Sequence, residues 1–230
     1  CRGNFVGTPY PFEGAKFDFL AANVVDAASG KTLFPAYGVK NFKGNRVAFI
    51  GMTLEATPSI VTPSGVAGLE FRDEADTVNK LVARLKHRGI DAVVVLLHEG
   101  GFAPGSINGC TGVSGPIVDI VSRLDDAVDL VVSGHTHQAY NCSLPNSTGR
   151  TIPVTSAGSF SRVMTSIDLT LNTKTRDVIA VSAENKLVDR SNFLGAAEPI
   201  QPVAEISTIV ANYNSLVSPI ANRIVGSITA

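Results

Sequence analysis

The spacing of apolar and polar residues predicts buried strands that alternate with helices. Two continuous apolar segments, residues 90–97 and 128–133, have the length of a strand and the composition of one that is buried on both faces. Residues 73–87 carry apolar side chains at helical spacing with charges between them, which predicts an amphipathic helix. A shorter helix is predicted over residues 116–124, with Ser114 as its cap. Helices that alternate with buried strands predict an α/β fold with a parallel sheet.

The flanking segments predict further strands, a loop and a last helix. Apolar runs predict strands at residues 17–25 and 46–53, and a composition rich in Thr, Pro, Ser and Gly predicts a loop over 57–68. A helical pattern follows two prolines at residues 203–222. The later part of the chain alternates in the manner of antiparallel strands at 152–155, 163–171 and 177–185.

Composition and charge narrow the class of protein. The 230 residues include 19 basic and 20 acidic side chains, a net charge of -1, which predicts no general attraction to nucleic acid or to an anionic membrane. The apolar runs are shorter than the roughly 20 residues that span a bilayer, so no membrane span is expected. Because the first residue is Cys1 and a strand-like pattern at 223–229 ends with the chain, we expect an interior piece of a longer protein.

The three cysteines, Cys1, Cys110 and Cys142, show no CxxC spacing and lie in segments rich in Gly, Asn and Ser. Cysteines in exposed loops favour disulfides and an exported protein. We predict a Cys110–Cys142 disulfide and a lost upstream partner for Cys1. Free thiols in a cytosolic protein remain the alternative.

Three of the four histidines follow the two buried strands directly. His98 comes after residues 90–97, and His135 and His137 come after 128–133. Because parallel strands present their carboxyl ends at one edge of a sheet, these imidazoles are expected to cluster there. Imidazole is a common ligand of zinc, manganese and iron, so the pattern predicts a metal site; structural histidines are the alternative. His87, beside basic residues at a predicted helix end, is interpreted as a solvated side chain.

The segments around these histidines resemble known sequence boxes. Residues 96–101 (LLHEGG) and 133–137 (SGHTH) resemble two histidine boxes of the calcineurin-like metallophosphoesterases. Residues 20–25, 49–53 and 64–71 follow the order usual in the 5'-nucleotidase family. The resemblance implies an α/β sandwich of mixed sheets flanked by helices, incomplete in this chain. It also implies that residues 1–200 are the later portion of a catalytic domain and that 201–230 are a helical linker toward a nucleotide-binding domain.

The resemblance implies a metal-dependent phosphatase that acts on nucleoside 5'-monophosphates or related nucleotides. Two divalent ions, zinc, manganese or similar, would carry an attacking hydroxide. His98 and His135 would bind one ion and His137 the other, and no catalytic residue is assigned. The family's Asp-x-His, Gly-Asp and Asn-His-Glu boxes are absent. The site is therefore expected to be incomplete without further segments of the same protein, and the chain alone is expected to be inactive.

Two alternatives to this function remain. A cyclic-nucleotide phosphodiesterase or a sugar-nucleotide hydrolase would use the same scaffold. A non-catalytic binding module would keep the fold without the metals. The expected location is secreted, periplasmic or in the cell envelope.

Overall fold

The computed structural model describes residues 15–189, 191 and 199–226. The chain forms two compact units, residues 1–186 and 187–230. Cys1 and the end of the predicted strand 223–229 lie outside the described residues, and residues 223–226 have no regular structure.

The first unit contains ten strands, three α-helices and a single 3-10 turn, Pro63–Gly65, in its described part. The helices are α1 (Thr57–Ile60), α2 (Glu74–His87) and α3 (Pro116–Ser122). The strands are β1 (Val24–Asp26), β2 (Tyr37–Phe42), β3 (Asn45–Met52), β4 (Leu69–Phe71), β5 (Ala92–Leu97), β6 (Leu130–Val132), β7 (Ala139–Pro145), β8 (Thr151–Ala157), β9 (Val163–Leu171) and β10 (Val178–Leu187).

Six of these strands form one mixed sheet in the order β2-β3-β5-β6-β8-β7. The four central strands β3, β5, β6 and β8 run parallel, and β2 and β7 pair antiparallel at the two edges. β5 and β6 align Val94 with Leu130 and Leu96 with Val132. The loops after these two strands therefore leave the sheet at the same edge. The predicted α/β class with a parallel centre is confirmed.

One face of the sheet is covered by helices. The sequence predicts α2 well, because Asp73 caps it by accepting the Asp76 N–H at 2.8 Å and basic residues fill its last turn. Val78 and Val82 on α2 and Ile117 on α3 are at most 1% exposed and pack in the core against the sheet. The larger of the two cores lies between these helices and the sheet.

The opposite face of the sheet is covered by strands. β9 and β10 pair with each other, and Ile167 and Val181 of this pair pack against Val47, Val94 and Leu130 of the sheet. A second, smaller pair, β1 and β4, is antiparallel. The architecture is thus a mixed sheet with helices on one face and a two-stranded layer on the other.

Three local predictions are wrong. The strand predicted at 17–25 is reduced to β1: Phe17 and Phe19 are 68% and 39% exposed, so neither is buried against a sheet, and their rings are tilted against each other with centroids 5.1 Å apart. Ser114 does not cap α3: its backbone pairs with Phe102 in both directions, and the helix begins after Gly115, which has φ 96°. The predicted loop at 57–68 contains the short helix α1.

The strand predicted at 152–155 lies within β8 and belongs to the main sheet, where it runs parallel to β6. It therefore does not join the strands at 163–171 and 177–185, which form the separate β9–β10 pair.

The second unit contains helix α4 (Ala204–Ala221), which agrees with the helix predicted at 203–222. Its apolar side chains, such as Ile206 and Val210, are more than half exposed. Among the described residues, no helix is both long and apolar enough to cross a membrane. The linker role of residues 201–230 stays a prediction.

Candidate metal centre

The structure brings the predicted histidines to one edge of the sheet. His98 directly follows β5, and its backbone N–H donates to the Met52 carbonyl at the end of β3 at 2.9 Å. His135 and His137 lie in the loop after β6. The ring centroids of His98 and His135 are 5.3 Å apart, with the rings edge to face. Two of the predicted ligands, which follow different parallel strands, are therefore neighbours.

His137 is placed differently from the other two. Its ring lies edge-on against Phe160, with centroids 5.6 Å apart. Among the described residues, no group of three metal-binding side chains that includes these histidines has all its donor atoms within 4.8 Å of one another. The three imidazoles therefore do not converge on one point, which agrees with the expectation of two separate ions without testing it.

The loop after β6 has an unusual backbone. His135 and His137 both adopt left-handed conformations, with φ 65° and 59°, which residues with a Cβ rarely occupy. The intervening Thr136 donates its N–H to the Gly134 carbonyl at 2.7 Å and its hydroxyl to the Gly101 carbonyl at 2.8 Å. Strain of this kind persists only where surrounding contacts maintain it, and such strain is concentrated at functional sites.

The two histidine loops are in direct contact through glycines. A Cβ at Gly100 would lie 2.3 Å from the Gly134 carbonyl oxygen and 2.8 Å from the Thr136 hydroxyl. The Gly134 N–H donates to the Glu99 carbonyl at 3.3 Å. A side chain at Gly100 would prevent this approach, whereas a Cβ at Gly134 would make only ordinary contacts, the nearest at 3.7 Å. Gly100 therefore sets how closely the two histidine loops can lie.

The three imidazoles are suited to be the histidine ligands of a metal site. Within the described part of the chain, no side-chain hydrogen bond engages the ring nitrogens of His98, His135 or His137. Partial burial, followed by the charge of the His135 imidazole, lowers the pKa of His98 below its ordinary value, while Glu99 acts in the opposite direction. A neutral imidazole with a free nitrogen is the form that binds a divalent ion.

The nearest carboxylate in the sequence does not complete that site. Glu99 is 8% exposed, and its Oε1 accepts the Gly100 N–H at 2.7 Å, so the carboxylate is engaged by its own loop. A full site would need carboxylate ligands from another segment.

An acidic cluster that the sequence analysis missed lies beside the start of α2. Donor oxygens of Glu55, Asp73 and Glu74 lie within 4.8 Å of one another. Burial raises the pKa of Glu74, although its Oε1 accepts the Glu55 N–H at 2.7 Å. Burial opposes ionisation of Asp73 too, but the Arg123 guanidinium at 2.7 Å and the Asp76 N–H together outweigh it, and the pKa of Asp73 is lowered. Asp73 and Glu74 already have protein partners, the Asp76 N–H and Arg123 for Asp73 and the Glu55 N–H for Glu74, and these contacts belong to the start of α2.

Besides the contact at Gly100, the Cys110–Cys142 disulfide links the two segments that carry the histidines. The Cα atoms are 5.0 Å apart, which confirms the predicted pair. Cys142 lies within β7, however, and is 3% exposed, so it is not in the loop expected from its sequence context. The Asn141 N–H also donates to the Gly109 carbonyl at 3.3 Å. The loop after β5 is therefore tied to the strand that follows the other histidine loop.

Comparison with known sequences gives relatives that are much longer than this chain. No protein-family model matches. The chain is 29% identical over 215 residues to Endonuclease YhcR of Bacillus subtilis, which covers 94% of the chain and 16% of that protein. It is 34% identical over 137 residues to a 5'-nucleotidase of Vibrio cholerae, covering 58% of the chain and 24% of the relative. Cell wall protein Lmo0130 of Listeria monocytogenes is 33% identical over 141 residues, covering 57% of the chain and 18% of the relative. The chain thus spans a quarter or less of these relatives.

Comparison with solved structures identifies the fold. The 5'-nucleotidase precursor from Thermus thermophilus superposes with a TM-score of 0.65 at 23% identity, covering 90% of this chain and 39% of that one. The calcineurin-like phosphoesterase YfkN from Bacillus subtilis gives a TM-score of 0.62 at 18% identity, covering 90% and 65%. The fold is therefore that of the calcineurin-like phosphoesterases, as the sequence boxes predict.

Proposed function

Because the chain is a homologue of part of the 5'-nucleotidases, we propose that it belongs to a metal-dependent phosphatase acting on nucleoside 5'-monophosphates or related nucleotides. The observation that carries this proposal is the position of His98, His135 and His137. They leave adjacent parallel strands at one sheet edge, with ring nitrogens that make no hydrogen bond to another described residue. Ligands bind at this edge in parallel sheets.

The chain's own residues hold the ions and fix their spacing. His98 and His135 bind one divalent ion and His137 binds the other. Such ions neutralise phosphate charge and lower the pKa of water toward neutrality. The contact between Gly100 and Gly134 keeps the loops close, and the left-handed conformations at His135 and His137 set the direction in which each residue leaves the loop.

The remaining ligands come from segments that this chain does not contain. Glu99 is engaged by the Gly100 N–H, and in the acidic cluster at α2 Glu74 accepts the Glu55 N–H and Asp73 pairs with Arg123. In this proposal, residues 201–230 connect the catalytic portion to a nucleotide-binding domain. The chain alone is inactive, because three imidazoles without a bridging carboxylate do not offset the charge of two divalent ions.

A location outside the cytoplasm fits the covalent structure. The Cys110–Cys142 disulfide forms readily in oxidising compartments. One relative is named a cell wall protein. We therefore assign the protein to the secreted, periplasmic or cell-envelope fraction.

The test is phosphate release from nucleoside 5'-monophosphates with added manganese or zinc. It compares the chain, a longer protein that contains it, and the His135→Ala and His87→Ala variants of the longer protein. We expect activity only in the longer protein, a loss of about 100-fold in His135→Ala, and no change in His87→Ala. His87 is an exposed histidine at the end of α2 and serves as the matched control. Strong turnover by the chain alone would refute the inference that ligands are missing from it. An unimpaired His135→Ala protein would refute the assignment of His135 as a ligand.

Phosphodiester hydrolysis is a second candidate activity. The relative aligned along 94% of the chain is named an endonuclease. The same assay therefore includes single-stranded DNA and RNA, a cyclic nucleotide and a nucleotide sugar. If a diester is cleaved faster than the monophosphates, the substrate assignment changes while the metal assignment remains. No turnover of any substrate by the metal-loaded longer protein would favour the non-catalytic binding module.

A further inference from the structure

Tyr140 lies in the core behind both histidine loops. It is on β7, and it is 0% exposed. Its hydroxyl lies 3.2 Å from the Gly101 backbone nitrogen and 2.6 Å from the Ser133 Oγ. Gly101 is three residues after His98, and Ser133 is two residues before His135. One buried oxygen atom therefore contacts both segments that carry the proposed ligands.

The direction of these hydrogen bonds follows from counting protons. The Ser133 hydroxyl has one proton, and it donates this proton to the Thr155 carbonyl at 2.9 Å. In that arrangement Tyr140 donates to Ser133 and accepts from the Gly101 N–H. The Ser156 hydroxyl, which donates to the Gln138 carbonyl at 2.6 Å, is a further neighbour of the Tyr140 hydroxyl. The result is a continuous chain of hydrogen bonds from the loop after β5, through Tyr140 and Ser133, to β8. Buried polar groups are costly to leave unpaired, so this chain resists displacement of either loop.

The other links between the two loops lie nearer the surface. The Thr136 hydroxyl donates to the Gly101 carbonyl, and Thr136 is partly exposed. The Gly134 N–H to Glu99 carbonyl bond is long, at 3.3 Å. The Tyr140 link, by contrast, is anchored to a rigid strand by a fully buried aromatic ring. It fixes the loops relative to the sheet as well as to each other.

We propose that Tyr140 is a positioning residue for the metal-binding imidazoles, because its hydroxyl holds the Gly101 and Ser133 segments and so sets the separation of His98 from His135. The proposal rests on the proposed metal site. Groups that orient ligands from behind affect metal affinity by about 10- to 100-fold when they are removed.

The test uses the longer protein that contains this chain, with Zn²⁺ as the probe. Tyr140→Phe removes one oxygen atom and keeps the ring. We expect its Zn²⁺ dissociation constant, measured by competition with a chelating dye, to rise about tenfold. Tyr37→Phe is the matched control, because Tyr37 carries an exposed hydroxyl that accepts from Arg88 and lies away from the site. Ser133→Ala provides a second variant, and the double variant should weaken binding by less than the product of the two single effects, since both act on one chain of hydrogen bonds.

A second measurement does not depend on metal binding. Amide hydrogen exchange at Gly101 should become faster in Tyr140→Phe and stay unchanged in Tyr37→Phe, because the Gly101 N–H loses its acceptor. Unchanged exchange at Gly101 would overturn the positioning role. So would unchanged Zn²⁺ affinity in both Tyr140→Phe and Ser133→Ala, including the case in which they only lower thermal stability. No saturable Zn²⁺ binding by the unsubstituted longer protein would instead count against the proposed metal site.

Discussion

The two ends of strands β5 and β6 hold their polar side chains in opposite ways. At the amino end, Asp129 is 2% exposed, and its carboxylate accepts the Val93 N–H at 2.8 Å and an Arg150 N–H at 2.9 Å. At the carboxyl end, His98 and His135 make no side-chain hydrogen bond to another described residue. The hydrogen bonds at that end join backbone groups and the hydroxyls of Thr136 and Tyr140 instead.

This difference separates stability from function on the same pair of strands. At the amino end, the Asp129 carboxylate is hydrogen-bonded within the protein and is not available to a ligand. Where the backbone is fixed and the imidazoles are left free, the side chains can bind an ion without first breaking an internal bond. Substitutions at the amino end should therefore change folding alone, and those at the carboxyl end should also change metal binding.

The largest expected effect comes from the disulfide beside the carboxyl end. Replacing both Cys110 and Cys142 by Ala should lower the free energy of unfolding by about 4 kcal/mol, because the bond closes a loop with a sequence separation of 32 residues. Alanine is chosen so that no hydroxyl is buried at Cys142. The measurement is urea unfolding of the variant and of the oxidised and reduced wild type. A loss below about 1 kcal/mol would show that the Tyr140 and glycine contacts hold the loops unaided.

The next effect concerns pH and the amino end. Burial raises the pKa of Asp129 to about 6, against the opposing effects of the Val93 N–H and Arg150. The folded protein then retains a proton that the unfolded chain releases near the ordinary pKa of 3.8. Stability from this group is fully present below that value and is lost as pH rises to about 6. The loss is at most about 3 kcal/mol, from 1.36 kcal/mol for each pKa unit.

Asp129→Asn isolates this contribution from those of other carboxylates. Asp73 has a lowered pKa and changes stability in the opposite direction, so only the difference between wild type and variant is informative. Relative to wild type, the free energy of unfolding of the variant should rise between about pH 4 and pH 7, by at most about 3 kcal/mol. Zn²⁺ affinity should not change. A changed Zn²⁺ affinity in this variant would contradict the proposal that substitutions at the amino end affect folding alone.

A structural feature could be predicted from the sequence where it depends on residues that are close together in the chain. The buried strands β5 and β6 and the amphipathic α2 follow from continuous or periodic apolar patterns, and the histidines follow from their place after those strands. The edge strands β2 and β7 were not predicted. β2 is mostly exposed, and β7 alternates with polar residues in a segment that contains Asn and Ser. Such strands depend on pairing with a neighbour more than on their own composition.

Part of the candidate site could not be predicted from the sequence either. Tyr140 lies 42 residues from His98 along the chain, and nothing in its local pattern indicates a contact with Gly101. The acidic cluster likewise joins Glu55 to Asp73 and Glu74 across a loop. Contacts of this kind arise from the three-dimensional fold, whereas motif spacing reports only neighbours in the chain.

The smallest expected effect on folding comes from a substitution at the contact between Gly100 and Gly134, at the carboxyl end of the strands. In Gly100→Ala, the new Cβ would lie 2.3 Å from the Gly134 carbonyl oxygen, which is backbone and cannot rotate away. One loop must shift, and we expect a loss of about 2 kcal/mol in unfolding free energy. Because that shift separates His98 from His135, Zn²⁺ affinity should fall by about tenfold or more, unlike in Asp129→Asn.

Gly65→Ala is the matched control for this substitution. Gly65 lies in a surface turn, and a Cβ there would meet nothing within 4 Å, so both stability and Zn²⁺ affinity should stay close to wild type. The two variants are compared by urea unfolding and by Zn²⁺ competition. If Gly100→Ala lost stability but kept full Zn²⁺ affinity, the close approach of the loops would serve folding only. Contacts at the carboxyl end of the strands would then affect stability alone, as those at the amino end do.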